Sequence, residues 1–135
     1  MVYSNLYSKR LVVNSRRTRT YCNSGKQILM NIFIVPSCIK SIVGKIDYQD
    51  RYEQTLKTFD SIRKQTEDSI IIFCDSSIGG LSDDHQSTIS SKVDYFLDFS
   101  TDPNTIEINQ RGLKSLGESY LLGHGIVFAK NNLNL

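Results

Sequence analysis

Asp75 is the residue whose type and setting point most directly to chemistry. It directly follows the apolar run Ile70-Ile71-Ile72-Phe73-Cys74 and precedes Ser76 and Ser77. A carboxylate at the end of a buried strand can accept hydrogen bonds from a ribose hydroxyl or a base N–H, and the two serines add hydroxyls and backbone amides beside it. The same three residues can equally form an Asx or Ser turn that ends the strand. Pro36-Ser37, after Ile32-Phe33-Ile34-Val35, has two readings as well: a flat apolar edge for a base, or a strand stop. Arg51, at the start of a helix, can reach a diphosphate. Glu118 is either a ligand-facing acid or a counter-charge to the dipole of a helix N-terminus.

Other chemistries lack their residues. The sequence contains no G-x-x-x-x-G-K-[ST] and no G-x-G-x-x-G after the first strand, so Gly79-Gly80 reads as a turn rather than a phosphate cradle. There is no G-x-S-x-G nucleophile elbow. Cys22, Cys38 and Cys74 are widely spaced, and His85 and His124 are the two histidines. That pattern fits neither a disulfide framework nor a Cys/His metal site, and it suits a reducing, cytoplasmic compartment. Cys38 and Cys74 read as small hydrophobes at the ends of adjacent strands, and His124, between Gly123 and Gly125, as a packing or surface residue. No metal ligand set and no cofactor are expected within this chain.

The elements that must position these residues follow from periodicity. Ile32–Val35 and Ile70–Cys74 are continuous apolar runs, as strands buried on both faces of a parallel sheet require. Between them a helix from about 50 to 66 carries the stripe Tyr52, Leu56, Phe59 and Ile62, with Asp47 or Asp50 as cap and Arg63, Lys64 and Gln65 suiting its C-terminal dipole. Ser82 caps a short second helix, with Asp83 and Asp84 in its first turn and Ile89 and Val93 inward. Residues 95–99 read as a third strand and residues 100–109 as a loop. A last helix from about 112 to 130 turns Leu113, Leu116, Tyr120 and Val127 inward, with Gly117, Gly123 and Gly125 interrupting it.

Alternating strands and helices imply right-handed crossovers and an α/β, three-layer Rossmann-like fold with parallel strand order 3-2-1. Ligands of such sheets bind beyond the carboxyl ends of the strands, which selects the loops 36–49, 75–80 and 100–109.

Charge is unevenly divided. Residues 1–30 hold six basic residues and no acid, leaving ten bases against 14 acids in the remainder. The body is therefore acidic and unsuited to nucleic acid, which needs clustered Lys and Arg on a folded face. Residues 1–29 read as a basic, poorly ordered extension before a single domain from 30 to 135. No run is long enough to span a membrane.

Together Ile34-Val35-Pro36-Ser37, the helix segment Leu56 to Thr66, and Ile72-Phe73-Cys74-Asp75-Ser76-Ser77 resemble the N-terminal half of GT-A-type glycosyltransferases, the nucleotide-diphospho-sugar transferase superfamily. Arg111-Gly112-Leu113-Lys114-Ser115 is loosely like that family's segment before its metal motif. The resemblance implies a nucleotide or nucleotide-sugar ligand, with Asp75 on the base or ribose and Pro36-Ser37 lining the base pocket. Ser76, Ser77, Arg51 and Glu118 complete the nucleotide-binding candidates. The family's Asp-x-Asp follows one strand later than this sequence reaches, and no acid follows Glu118. The expectation is an incomplete GT-A-like half that binds nucleotide without turning it over, with Mn²⁺ or Mg²⁺ belonging to a complete homologue. A different expectation is a small interaction or oligomerisation module that pairs through the open edge beside the first strand.

Overall fold

Three adjacent parallel strands make up most of the sheet, and their order is the one the alternation predicts. The computed structural model describes residues 11–13, 31–41, 46–66 and 68–133. Strand β1 (Leu11–Val13) is followed by β2 (Asn31–Ser37), helix α1 (Tyr48–Gln65), β3 (Ser69–Asp75), α2 (Asp83–Lys92), β4 (Tyr95–Asp98), α3 (Pro103–Gln110) and α4 (Lys114–Asn132). The sheet order is β1-β4-β3-β2. β2 runs parallel to β3 in the register Ile34↔Ile72 and Ser37↔Asp75, and β3 runs parallel to β4 with Asp75↔Asp98. The expectation of an extension before residue 30 meets one difference. Leu11–Val13, the apolar cluster of that segment, pairs antiparallel with β4, and the rest of it lies outside the described residues.

Because successive strand residues face opposite ways, the apolar runs supply two cores at once. Phe33, Val35, Ile71, Phe73 and Phe96 face one way and pack with Tyr52 and Phe59 of α1 and Ile89 of α2. Ile32, Ile34, Ile72, Cys74 and Leu97 face the other and pack with Leu121, Phe128 and Ala129 of α4. Helices thus cover both faces. The predicted stripe of α1 is the face that packs, with Tyr52 and Phe59 buried and Leu56 and Ile62 part-buried. Ser82 caps α2 as expected, its hydroxyl accepting from His85 N.

Two assignments are corrected. Residues 100–109 are largely helical, since α3 begins at Pro103. Proline at the first helical position has a preset φ, and its missing N–H would have no partner there anyway. The Asp102 carboxylate receives the Thr105 hydroxyl at 3.0 Å and the Tyr120 hydroxyl at 2.6 Å, which ties α3 to α4. In α4 the inward face is Leu121, His124, Gly125, Phe128 and Ala129, while Leu113 and Leu116 are exposed. Among the described residues no helix is long and apolar enough to cross a membrane.

Candidate functional site

β2 and β3 end side by side, and their following loops stay joined beyond the last ladder pair. Ser76 N donates to Ser37 O at 2.9 Å, Lys40 N to Ser77 Oγ at 3.0 Å, and Ile78 N to Lys40 O at 2.9 Å. Ile39 is buried in the core on the α1 side, so an apolar anchor holds the first loop down. From the other flank, Asn109 of α3 donates to Ser76 O at 2.8 Å. These bonds fix a backbone platform at the carboxyl edge of the sheet.

Above it opens a pocket of about 340 Å³. Its floor and near wall are Val35, Pro36, Ser37, Cys38, Ile39 and Ser76; α1 contributes Arg51, Gln54, Thr55 and Thr58. The far wall is Ile108 and Asn109 of α3 and Lys114, Gly117, Glu118 and Leu121 of α4. The volume lies in the range of small-ligand sites, and the mixture of apolar surface with a few convergent polar groups is typical of them. Arg51 spends one guanidinium nitrogen on Cys38 O at 3.0 Å, which steadies the side chain beside the pocket.

The residues singled out from sequence divide into two sets. Pro36, Ser37, Arg51, Ser76 and Glu118 line the pocket. Asp75 and Ser77 do not: both are buried beneath the platform, with exposures of 1% and 0%. The Asp75 carboxylate accepts from Ile39 N at 3.4 Å and from Ser77 N at 3.0 Å, so it holds the turn together in the way an Asx turn does. Burial pushes its carboxyl up to about 7; the Ser77 and Ile39 hydrogen bonds oppose the rise, and the Asp98 carboxylate adds to it.

Sequence reasoning passed over Lys114, Asn109, Thr55 and Thr58 as pocket residues. Lys114 had a signal, a cation opening the last helix, and Asn109 had one in its place within 100–109, a stretch already selected for the carboxyl edge of the sheet. Cys74 is fully buried, and burial with the nearby Asp75 charge pushes its thiol up to about 12, so it behaves as a small apolar residue. Cys38 lies at the pocket, its thiol also raised chiefly by burial. His124 packs against Tyr120 at 4.5 Å and Phe99 at 5.3 Å between ring centroids, and burial lowers its pKa against the pull of Asp102. Among the described residues no group of three or more His, Cys, Asp and Glu side chains is arranged to hold a metal ion. Compared with known proteins, the chain matches no family model, no curated protein and no solved structure.

Proposed function

We propose that the chain binds a nucleotide, with nucleoside diphosphates and their sugar conjugates as the ligand class, as the binding half of a Rossmann-like, GT-A-type domain. One observation carries the reading: the pocket lies at the carboxyl ends of parallel strands and combines an apolar shelf with two cations. Val35, Pro36 and Ile46 suit the face of a base, and Arg51 and Lys114 suit phosphate oxygens. Glu118 and Ser37 supply acceptors for ribose hydroxyls. The proposal assigns binding and no turnover.

The test is a calorimetric titration of the full chain with UDP, GDP and CDP, with and without Mn²⁺. Binding of at least one nucleotide without metal is expected. Arg51→Ala and Lys114→Ala should each weaken it about tenfold, since a hydrogen bond to a charged group contributes roughly 1.5–3 kcal/mol. Absence of binding by all three nucleotides would sink the reading.

A second reading, pairing with another copy of the chain, is favoured by the position of β2 at the end of the sheet order, with its outer edge unpaired among the described residues. Light scattering behind a sizing column should then show a concentration-dependent dimer. A monomer at all concentrations up to about 1 mM, where binding free energies fall to about −4 kcal/mol, removes it.

A further inference from the structure

Asp75 carries a consequence for the pocket that its burial does not cancel. Its two oxygens hold the backbone amides of the second residue in each of the loops after β2 and β3, Ile39 N at 3.4 Å and Ser77 N at 3.0 Å. The neighbours of those amides, Cys38 and Ser76, are pocket wall, as is Ile39 itself. The carbonyl of Asp75 also accepts Phe99 N at 2.8 Å, which brings the end of β4 into the same junction.

We propose that Asp75 is a positioning residue, which sets the shape of the nucleotide pocket from beneath by clamping Ile39 N and Ser77 N and does not touch the ligand. This rests on the nucleotide reading of the pocket. An ionised carboxylate has lone pairs for both amides, whereas a protonated one commits an oxygen to its own O–H, so one buried amide loses its best acceptor. The groups that face Asp75 are few. Asp98 stands beside it at the end of β4, Cys74 precedes it on β3, and Cys38 approaches from the first loop, where Arg51 of α1 holds the Cys38 carbonyl. Asp98 repels the charged state, and both thiols are held neutral by burial, so the ionisation of Asp75 sets that of the junction.

The sign of the stability effect keeps the obvious variant usable. A buried acid whose pKa is raised from 3.8 to about 7 contributes most to stability below pH 4, and that contribution is lost as pH rises through 7. Asp75→Asn, which carries no charge, should therefore compare best with the wild type at pH 8, and thermal melts at pH 5 and 8 report whether it is folded.

Two measurements on the full chain decide the matter. Amide NMR from pH 5 to 9 should show Ile39 and Ser77 shifting together with a midpoint near 7, and should show no such shift in Asp75→Asn. In calorimetry with whichever of UDP, GDP and CDP binds, the ratio of wild-type to variant affinity cancels the ionisation of the ligand itself. That ratio should fall about tenfold from pH 8 to pH 6, as the competent fraction of the wild type falls. An unchanged ratio, or amides that do not titrate, overturns the proposal. If both amides titrate but the wild type binds none of UDP, GDP and CDP at pH 8, the clamp stands and the nucleotide reading falls.

Discussion

Replacing Arg63 with alanine should lower folding stability by about 3 kcal/mol, toward the lower end of the cost of breaking a buried ion pair. The guanidinium sits at the edge of the sheet opposite the pocket and makes four contacts. One nitrogen donates to Ser69 O at 2.6 Å and Ser69 Oγ at 3.1 Å; another donates to Lys92 O at 3.2 Å and Asp94 Oδ2 at 2.8 Å. Asp94 Oδ2 also accepts Ile71 N at 2.8 Å. One side chain thus fastens the end of α1 to the start of β3, the end of α2 and the approach to β4. Alanine would leave the Asp94 carboxylate, 10% exposed, without its counter-charge. Lysine is a poor substitute, because a single ammonium cannot reproduce a planar fork. The expected fall in melting temperature is about 10 °C for a domain of this size. Asp60 offers the control. Its pair with Lys92 is 3.1 Å long but 58% and 35% exposed, so Asp60→Ala should change stability by less than about 1 kcal/mol. Denaturant titrations in which Arg63→Ala loses no more than Asp60→Ala would contradict the assignment of this junction.

Arg63 also illustrates what the sequence made legible. As a cation in the last turn of α1 it suits the helix dipole, which is true and incomplete. Its larger role depends on where Ser69, Lys92 and Asp94 arrive in space, and no local pattern encodes that. The strands were readable because a parallel sheet packed on both faces forces near-continuous apolar runs, and Ile32–Val35 and Ile70–Cys74 have no other use. The α1 stripe was readable for the same kind of reason. β1 was visible only as an apolar triplet, since a strand of three residues exists through its partner β4. α3 was hidden by Asp102-Pro103-Asn104, a turn-like sequence whose proline in fact starts the helix.

At the site, the position of Asp75 at the strand end was legible, and its depth was not. A strand-end carboxylate faces a ligand or the chain according to the path of the next loop, and here Ile39 is drawn into the core and brings its amide to Asp75. Pro36 and Ser37 line the pocket as the last two residues of β2, and Ser76 as the first residue beyond β3.

The second large effect separates two glycines of α4 that the sequence could not distinguish. Gly123→Ala should stabilise the chain by up to about 1 kcal/mol, the ordinary gain from removing a helix-interior glycine, since an added Cβ there meets nothing within 4 Å. At Gly125 the same methyl would lie 2.4 Å from Ile34 Cγ2 and 3.2 Å from Cys74 Sγ. Ile34 is β-branched and stiff at χ1, so its methyl cannot swing aside without moving the strand. The helix must then lift from β2, and overpacking of this kind costs about 1–3 kcal/mol. The two alanine variants should therefore differ by about 2 kcal/mol in denaturant titrations, with Gly125→Val worse than either. Equal stabilities for the two alanine variants would rule out the close approach. The clash also predicts its own relief. Ile34→Ala opens the space the new methyl needs, so the double variant Ile34→Ala/Gly125→Ala should lose about 1 kcal/mol less than the sum of its parts. Gly117, Glu118 and Leu121 stand on the same helix and line the pocket, so the seat of Gly125 on Ile34 also sets how closely that wall approaches Pro36. Weaker UDP binding by Gly125→Ala than by Gly123→Ala is the expected trace of that displacement at the pocket.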